Sequence, residues 1–192
     1  MFGDGEGPSI RTWTLYGTAV VARIATLVWA VLQLPDKVAT HFGPSGAADG
    51  WGTRAGYVIF DVIISAALVL GLPMLVRVIL AGSGVGLNIP HKEYWLRTEN
   101  RPRLRQRLTG DMLFIGGATG LLLSWVDIEL VRANTLATPA MGGSEWIAIS
   151  LFVVAILGYS VWMATKRYAI PAGAEDAERQ PRGPAQRGTR AT

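Results

Sequence analysis

Apolar residues in this chain fall in four long runs separated by short polar stretches. The runs cover residues 13–34, 56–81, 110–132 and 145–165. A hydrocarbon core of about 30 Å takes roughly 20 helical residues to cross, so each run predicts a spanning helix. Helices are expected because an exposed strand edge in lipid would leave backbone groups unpaired. The first run stops at Pro35, and Pro73 predicts a kink in the later half of the second. The third carries Gly116 and Gly120 four residues apart, a spacing that lets another helix approach closely. The fourth has no charge after Glu145 at its start and stops at Lys166 and Arg167.

The predicted fold is an all-α polytopic membrane protein with a four-helix transmembrane bundle. A tail over 1–12 precedes a membrane domain over 13–166. The last segment, 167–192, is rich in Pro, Gly, Ala and charge with no apolar face to bury, which predicts disorder. Composition agrees with the membrane class: 50% of residues are hydrophobic and 17% charged, against about a quarter charged in soluble domains. The absence of cysteine excludes disulfides and thiolate chemistry.

The formal charge of +4 could suggest nucleic acid, but no nucleic-acid motif is present, and the cations follow a membrane pattern. Lys92, Arg97, Arg101, Arg103, Arg105 and Arg107 follow the second run, six more Lys and Arg occupy the stretch from Lys166 onward, and residues 133–143 have none. The positive-inside rule then predicts an N-in/C-in protein of the cell membrane, with residues 34–52 outside. The first residues are acidic and Gly-rich and no cleavage site follows the first run, so that run is expected to be a retained anchor. The RPRLRQR segment is expected to meet anionic lipid headgroups at the cytoplasmic face.

Several charges fall inside the runs. Arg23 lies near the middle of the first, where a charge costs about 2.5–3.5 kcal/mol on insertion scales, and so demands a partner. Asp61 and Asp127 are the candidates for an intramembrane ion pair. Outward-facing acids, Asp36, Asp49, Asp61, Asp127, Glu129 and Glu145, outnumber Lys37, Arg54 and Arg132, which predicts a net acidic outer face attractive to cations or a cationic peptide.

Two polar motifs carry the candidate chemistry. In LPDKVATHFGPSGAADGWG, residues 34–52, Pro35 suits a first helical turn and Val38 and Phe42 lie four apart, predicting a short interfacial helix. Trp51 would anchor the far end at the headgroups. His41 with Asp36 and Asp49 could supply metal ligands, or a base with its orienting acid, although the spacing fits no closed zinc signature. In NIPHKEYWLRTENR, residues 88–101, the aromatic pair Tyr94 and Trp95 precedes dense arginine and reads as an interfacial segment. One span separates His41 from His91, so the two histidines face opposite sides and share no metal. The GSGVGLN cluster does not match a dinucleotide fingerprint, and no cofactor is expected.

The pattern Leu34, Pro35, Asp36, Thr40, His41, Phe42, Gly46, Asp49, Gly50 and Trp51, just after a first membrane helix, resembles the N-terminal domain of unknown function of SdpI-type bacterial membrane proteins. Asn88, Pro90, Tyr94, Trp95 and Leu96 resemble a companion motif of short, mainly actinobacterial members. The resemblance implies a membrane protein related to one that gives immunity to a secreted toxic peptide and signals to a repressor. By position it singles out Pro35, Asp36, His41, Gly46, Asp49 and Trp51 outside, and Asn88, Pro90, Tyr94 and Trp95 inside.

Three functions follow from these readings. The first is a non-enzymatic membrane protein recognising an extracytoplasmic ligand such as a peptide. The second is a metal-dependent enzyme built on His41, Asp36 and Asp49. The third is a small transporter subunit, with Arg23, Asp61, Asp127 and Glu129 on a polar path and Gly116 and Gly120 joining a homo-oligomer.

Overall fold

A computed structural model describes residues 7–82, 84 and 86–171. The disorder expected of the C-terminal stretch therefore falls, beyond Pro171, outside the described residues. Among the described residues the chain is mostly helical, and four helical stretches are long and apolar enough to cross a membrane: Ile10–Gln33, Arg54–Ala81, Arg101–Thr135 and Ser144–Arg167.

Helix α1 (Ile10–Gln33) begins where Ser9, in extended backbone, accepts the Thr12 N–H on its hydroxyl, and it ends at Leu34, just before Pro35. Strands β1 (Lys37–Phe42) and β2 (Ala48–Thr53) then form an antiparallel hairpin. Thr53 caps α2 (Arg54–Ser65) by accepting the Gly56 N–H. The second span continues through a π-helical stretch, Ala66–Gly71, into α3 (Leu72–Ala81).

Pro73 explains that wide turn. Proline has no N–H for the carbonyl four residues before it and crowds that carbonyl. The carbonyl is that of Val69, which instead accepts the Tyr16 hydroxyl from α1 at 2.8 Å. Gly116 lets the same carbonyl approach: a Cβ there would sit 2.9 Å from Val69 O, and one on Gly120 would sit 3.4 Å from the Val69 side chain. The close approach expected at Gly116 and Gly120 is thus made within the chain, so this pair does not form a face for a second copy.

A single turn, α4 (Lys92–Trp95), precedes α5 (Arg101–Thr135), which at 35 residues and 1.5 Å per residue is about 52 Å long. It starts at Arg101, before the apolar run begins, because Leu104 and Leu108 are buried while Arg103 and Arg105 face outward. The arginine run read as an interfacial segment is therefore the first part of a spanning helix. Helix α6 (Ser144–Trp162) ends in a π turn, Met163–Arg167. Every other span packs against α5.

Two apolar clusters close the ends of the bundle. Ala30, Leu34, Val38, Leu130 and Val131 lie under the hairpin; Val76, Leu80, Trp95, Leu104, Leu108 and Tyr168 lie at the arginine-rich end. Elsewhere the large apolar residues, such as Val21 and Val28 on α1 and Leu151, Val154 and Leu157 on α6, point outward as lipid-facing surface does. Exposed Trp13 and Trp162 ring one end and Trp29, Trp51 and Trp146 the other, the arrangement of interfacial aromatic belts. Along α1, Trp13 and Trp29 are about 24 Å apart.

The hairpin overturns the helix expected at residues 35–42. Val38, Thr40 and Phe42 suit an extended backbone, and as a strand the segment buries both Val38 and Ala39 completely. The glycines of β2 allow the pairing: a Cβ on Gly50 would sit 2.7 Å from the His41 Cβ across the ladder.

Candidate functional site

The hairpin is bound to the bundle from three sides. At its foot, Arg54 donates to the Leu34 carbonyl at 3.1 Å and to the Asp36 carboxylate at 2.6 Å. Along the free edge of β1, the Asn134 side chain accepts the Ala39 N–H at 2.7 Å and donates to the Ala39 carbonyl at 3.1 Å. One amide side chain at the end of α5 thus stands in for a third strand. At the tip, the Met141 N–H donates to the Gly46 carbonyl at 2.8 Å and the Ala48 N–H to the Pro139 carbonyl at 3.2 Å. Gly46 has φ +82, and a Cβ there would meet the Met141 carbonyl at 2.5 Å. Only glycine suits both its left-handed backbone and that contact.

What this fixed hairpin turns outward is polar and aromatic. His41 Nδ1 pairs with the Asp49 carboxylate across the strands, and both side chains are largely exposed. A carboxylate accepts, so the ring donates from Nδ1, and Nε2 is left to meet another group. Lys37 places its ammonium 4.7 Å from the centre of the half-exposed Trp51 ring. Pro35 is exposed beside the Asp36 pair.

Asp36 is held by Arg54 while Asp49 meets His41, so the three residues considered as a metal set are not brought together. Among the described residues no three His, Cys, Asp or Glu side chains are grouped to hold an ion. The net acidic surface expected at this end is also overturned. Asp61, Asp127, Glu129 and Glu145 are buried, leaving Asp36 and Asp49 exposed beside the cations Lys37 and Arg132.

Beneath the hairpin lies a buried charge cluster. The Arg23 guanidinium donates to Asp61, to Asp127 at 2.5 Å and, through Nε, to the Ser65 hydroxyl at 3.0 Å. Tyr57, whose ring packs on the apolar cluster under the hairpin, donates to the other Asp127 oxygen at 2.5 Å. Arg23 is about 15 Å from the end of α1. Both carboxylates considered as partners therefore meet the one guanidinium. Glu129 lies apart, accepting from Arg132 at 2.8 Å and from Ser144 at 3.0 Å.

The NIPHKEYWL motif occupies the opposite end and has a different character. Trp95 is buried, donates to the Tyr168 carbonyl at 2.9 Å and lies under the Arg107 guanidinium at 4.5 Å. Tyr94 accepts on its carbonyl from Asn100 at 2.9 Å. Asn88 is exposed and Pro90 half-buried in the loop before α4. His91, with φ 54, is the described non-glycine residue in left-handed backbone. Trp95 is thus turned into the protein, with the half-buried Tyr94 ring edge-on against it at 5.2 Å.

Sequence reading missed Tyr57, Ser65 and Asn134, and an entire second cluster around Asp111. That carboxylate is fully buried and accepts from Tyr159 at 2.8 Å and Tyr168 at 2.6 Å, with Arg167 at 3.0 Å. Burial, and then the neighbouring Asp111 charge, push the Tyr168 phenol above its ordinary range.

The model of a domain of unknown function, DUF1648, matches residues 18–65. That stretch holds most of α1, the whole hairpin and α2, and with them Arg23, Asp61, Tyr57 and the hairpin motif. No curated protein and no solved structure matches the chain.

Proposed function

We propose that this chain is a non-enzymatic integral membrane protein of the SdpI-like group that recognises a ligand outside the cell, a membrane-active peptide, with its hairpin. One observation carries the reading. The hairpin is fixed to the bundle by Arg54, Asn134 and Met141, yet Lys37, His41, Asp49 and Trp51 all face away from it. Rigid presentation of an aromatic ring, an imidazole nitrogen and both signs of charge suits recognition, because little ordering cost remains when a partner binds. The exposed charges balance, so affinity would come from Trp51 and hydrogen bonds more than from a net field.

The same reading places both ends of the chain and the arginine-rich end in the cytoplasm. In support, Lys92, Arg97, Arg101, Arg103, Arg105, Arg107, Lys166 and Arg167 gather at one end of the bundle, against Lys37, Arg54 and Arg132 at the other. Immunity to a secreted peptide, or signalling of envelope stress, is the expected biological output.

The test is a deletion strain challenged with secreted antimicrobial peptides and complemented with the intact chain, His41→Ala or Trp51→Ala. Each variant should reach the membrane at the normal level and lose at least ten-fold in protection. Equal survival of the deletion strain and its parent across the peptides would overturn the reading.

A further inference from the structure

We propose that the cleft between α1 and α6 holds one acyl chain of an anionic phospholipid, with the lipid phosphate at Arg167, Arg11 and Lys166. Helices α1 and α6 each pack along α5 but leave a groove of about 410 Å³ between them, within the range of about 300–1,000 Å³ typical of ligand sites. Its floor is made shallow-sided by Gly117 and Ala118, and its walls are Leu15, Phe114 and Leu121. Asp111, Arg167 and Thr12 stand at one end. From Asp111 to Leu121 the groove follows α5 for about 15 Å, half of a hydrocarbon core of about 30 Å. A polar end at the arginine-rich face and an apolar run one leaflet deep match a lipid standing in its own leaflet.

The dimensions fit this occupant. A volume of about 410 Å³ spread over about 15 Å gives a mean cross-section of about 27 Å². A helix about 10 Å across needs roughly 79 Å². The groove has room for an extended hydrocarbon chain along its length, and a helix could meet only its open side.

Charge selects the headgroup. Asp111 is already matched by Arg167 and by the hydroxyls of Tyr159 and Tyr168, so it adds little negative field to the groove mouth. Arg167 keeps its Nε buried with no acceptor, although a guanidinium has five donors suited to phosphate. Arg11, in the first turn of α1 beside Thr12, and Lys166 are exposed at the same end. A zwitterionic headgroup would bring a second cation to this already cationic rim.

The full chain, purified in a neutral detergent, is examined by native mass spectrometry with added phosphatidylglycerol or phosphatidylcholine of identical acyl chains. A single phosphatidylglycerol should be retained at least ten-fold over phosphatidylcholine. Ala118→Trp should abolish that adduct, and Leu121→Trp, at an exposed position further along the groove, serves if the first variant does not fold. Arg11→Gln combined with Lys166→Gln should reduce the preference several-fold while leaving the fold intact. Equal retention of both lipids, an adduct that survives a folded groove-filling variant, or a dimer formed in place of the lipid adduct would each overturn the proposal.

Discussion

Asp111 and Asp127 are two buried carboxylates on one helix, 0% and 1% exposed and about 24 Å apart along α5. Each accepts from a guanidinium and from tyrosine: Arg167, Tyr159 and Tyr168 at one end, Arg23 and Tyr57 at the other. Their stoichiometry differs. Asp111 has its cation largely to itself, whereas Asp127 shares Arg23 with Asp61. The Asp127 cluster binds α1, α2 and α5 into one clasp; the Asp111 cluster fastens α6 and Tyr168 to α5. Arg167 is partly exposed, with 28% of its side chain accessible against 4% for Arg23, so only the first cluster is sealed from water.

That difference sets the order of damage. Arg23→Leu leaves two carboxylates buried with no cation, and breaking a buried pair in this way costs about 3–5 kcal/mol. Asp111→Ala frees an arginine that can reach water, and the lost hydrogen bonds should cost about 1–3 kcal/mol. Unfolding of both variants in matched detergent micelles compares the two ends directly. The combined change of Arg23, Asp61 and Asp127 to Leu should recover much of the loss seen in Arg23→Leu alone, because no unpaired charge remains. Equal losses for Arg23→Leu and Asp111→Ala would show that sealing is not what separates the clusters.

A smaller effect is expected where the hairpin meets α5. Asn134→Ala removes both hydrogen bonds to Ala39 and leaves its buried backbone groups unpaired, a local cost of about 1–3 kcal/mol. Hydrogen exchange at the Ala39 amide should accelerate at least ten-fold while the helical amides of α5 keep their protection. Gly50→Val should produce the same local loosening from the other strand, since its side chain would collide with His41. If either change melted the whole bundle, the hairpin would be part of its core and not a fixture on its surface.

The two clusters were unequally legible. Arg23, Asp61 and Asp127 stand out in the sequence because each interrupts an apolar run, where a charge without a partner is expensive. Asp111 sits at the edge of its run, beside Gly110 and the arginines, where a carboxylate passes for an ordinary interfacial residue. Tyr159 and Tyr168 carry no charge that would mark them in an apolar run. The four spans were legible because length and apolarity alone define them. The hairpin was not: Val38 and Phe42 are spaced four apart, which suits one side of a helix and also one face of a strand. The strand pairs with β2 and its free edge is closed by Asn134, 95 residues from Ala39 in sequence, a tertiary contact that local pattern cannot contain.

The smallest expected effect concerns Tyr168 and is best read against pH. Its phenol is held above the ordinary value of 10.0, by burial first and then by Asp111. A group raised on folding keeps its proton in the native state when the unfolded chain has lost it. Its contribution is therefore complete below about pH 10 and declines as pH rises above the unfolded phenol value. Tyr168→Phe should cost about 1 kcal/mol at neutral pH, since Tyr159 and Arg167 still serve Asp111. The wild-type midpoint of thermal unfolding should then fall more steeply than that of Tyr168→Phe between pH 10 and 11, narrowing the gap between the two curves. Parallel curves over that interval would mean that Tyr168 reaches water and that this end of α5 is open, which would widen the contrast with the sealed cluster at Asp127.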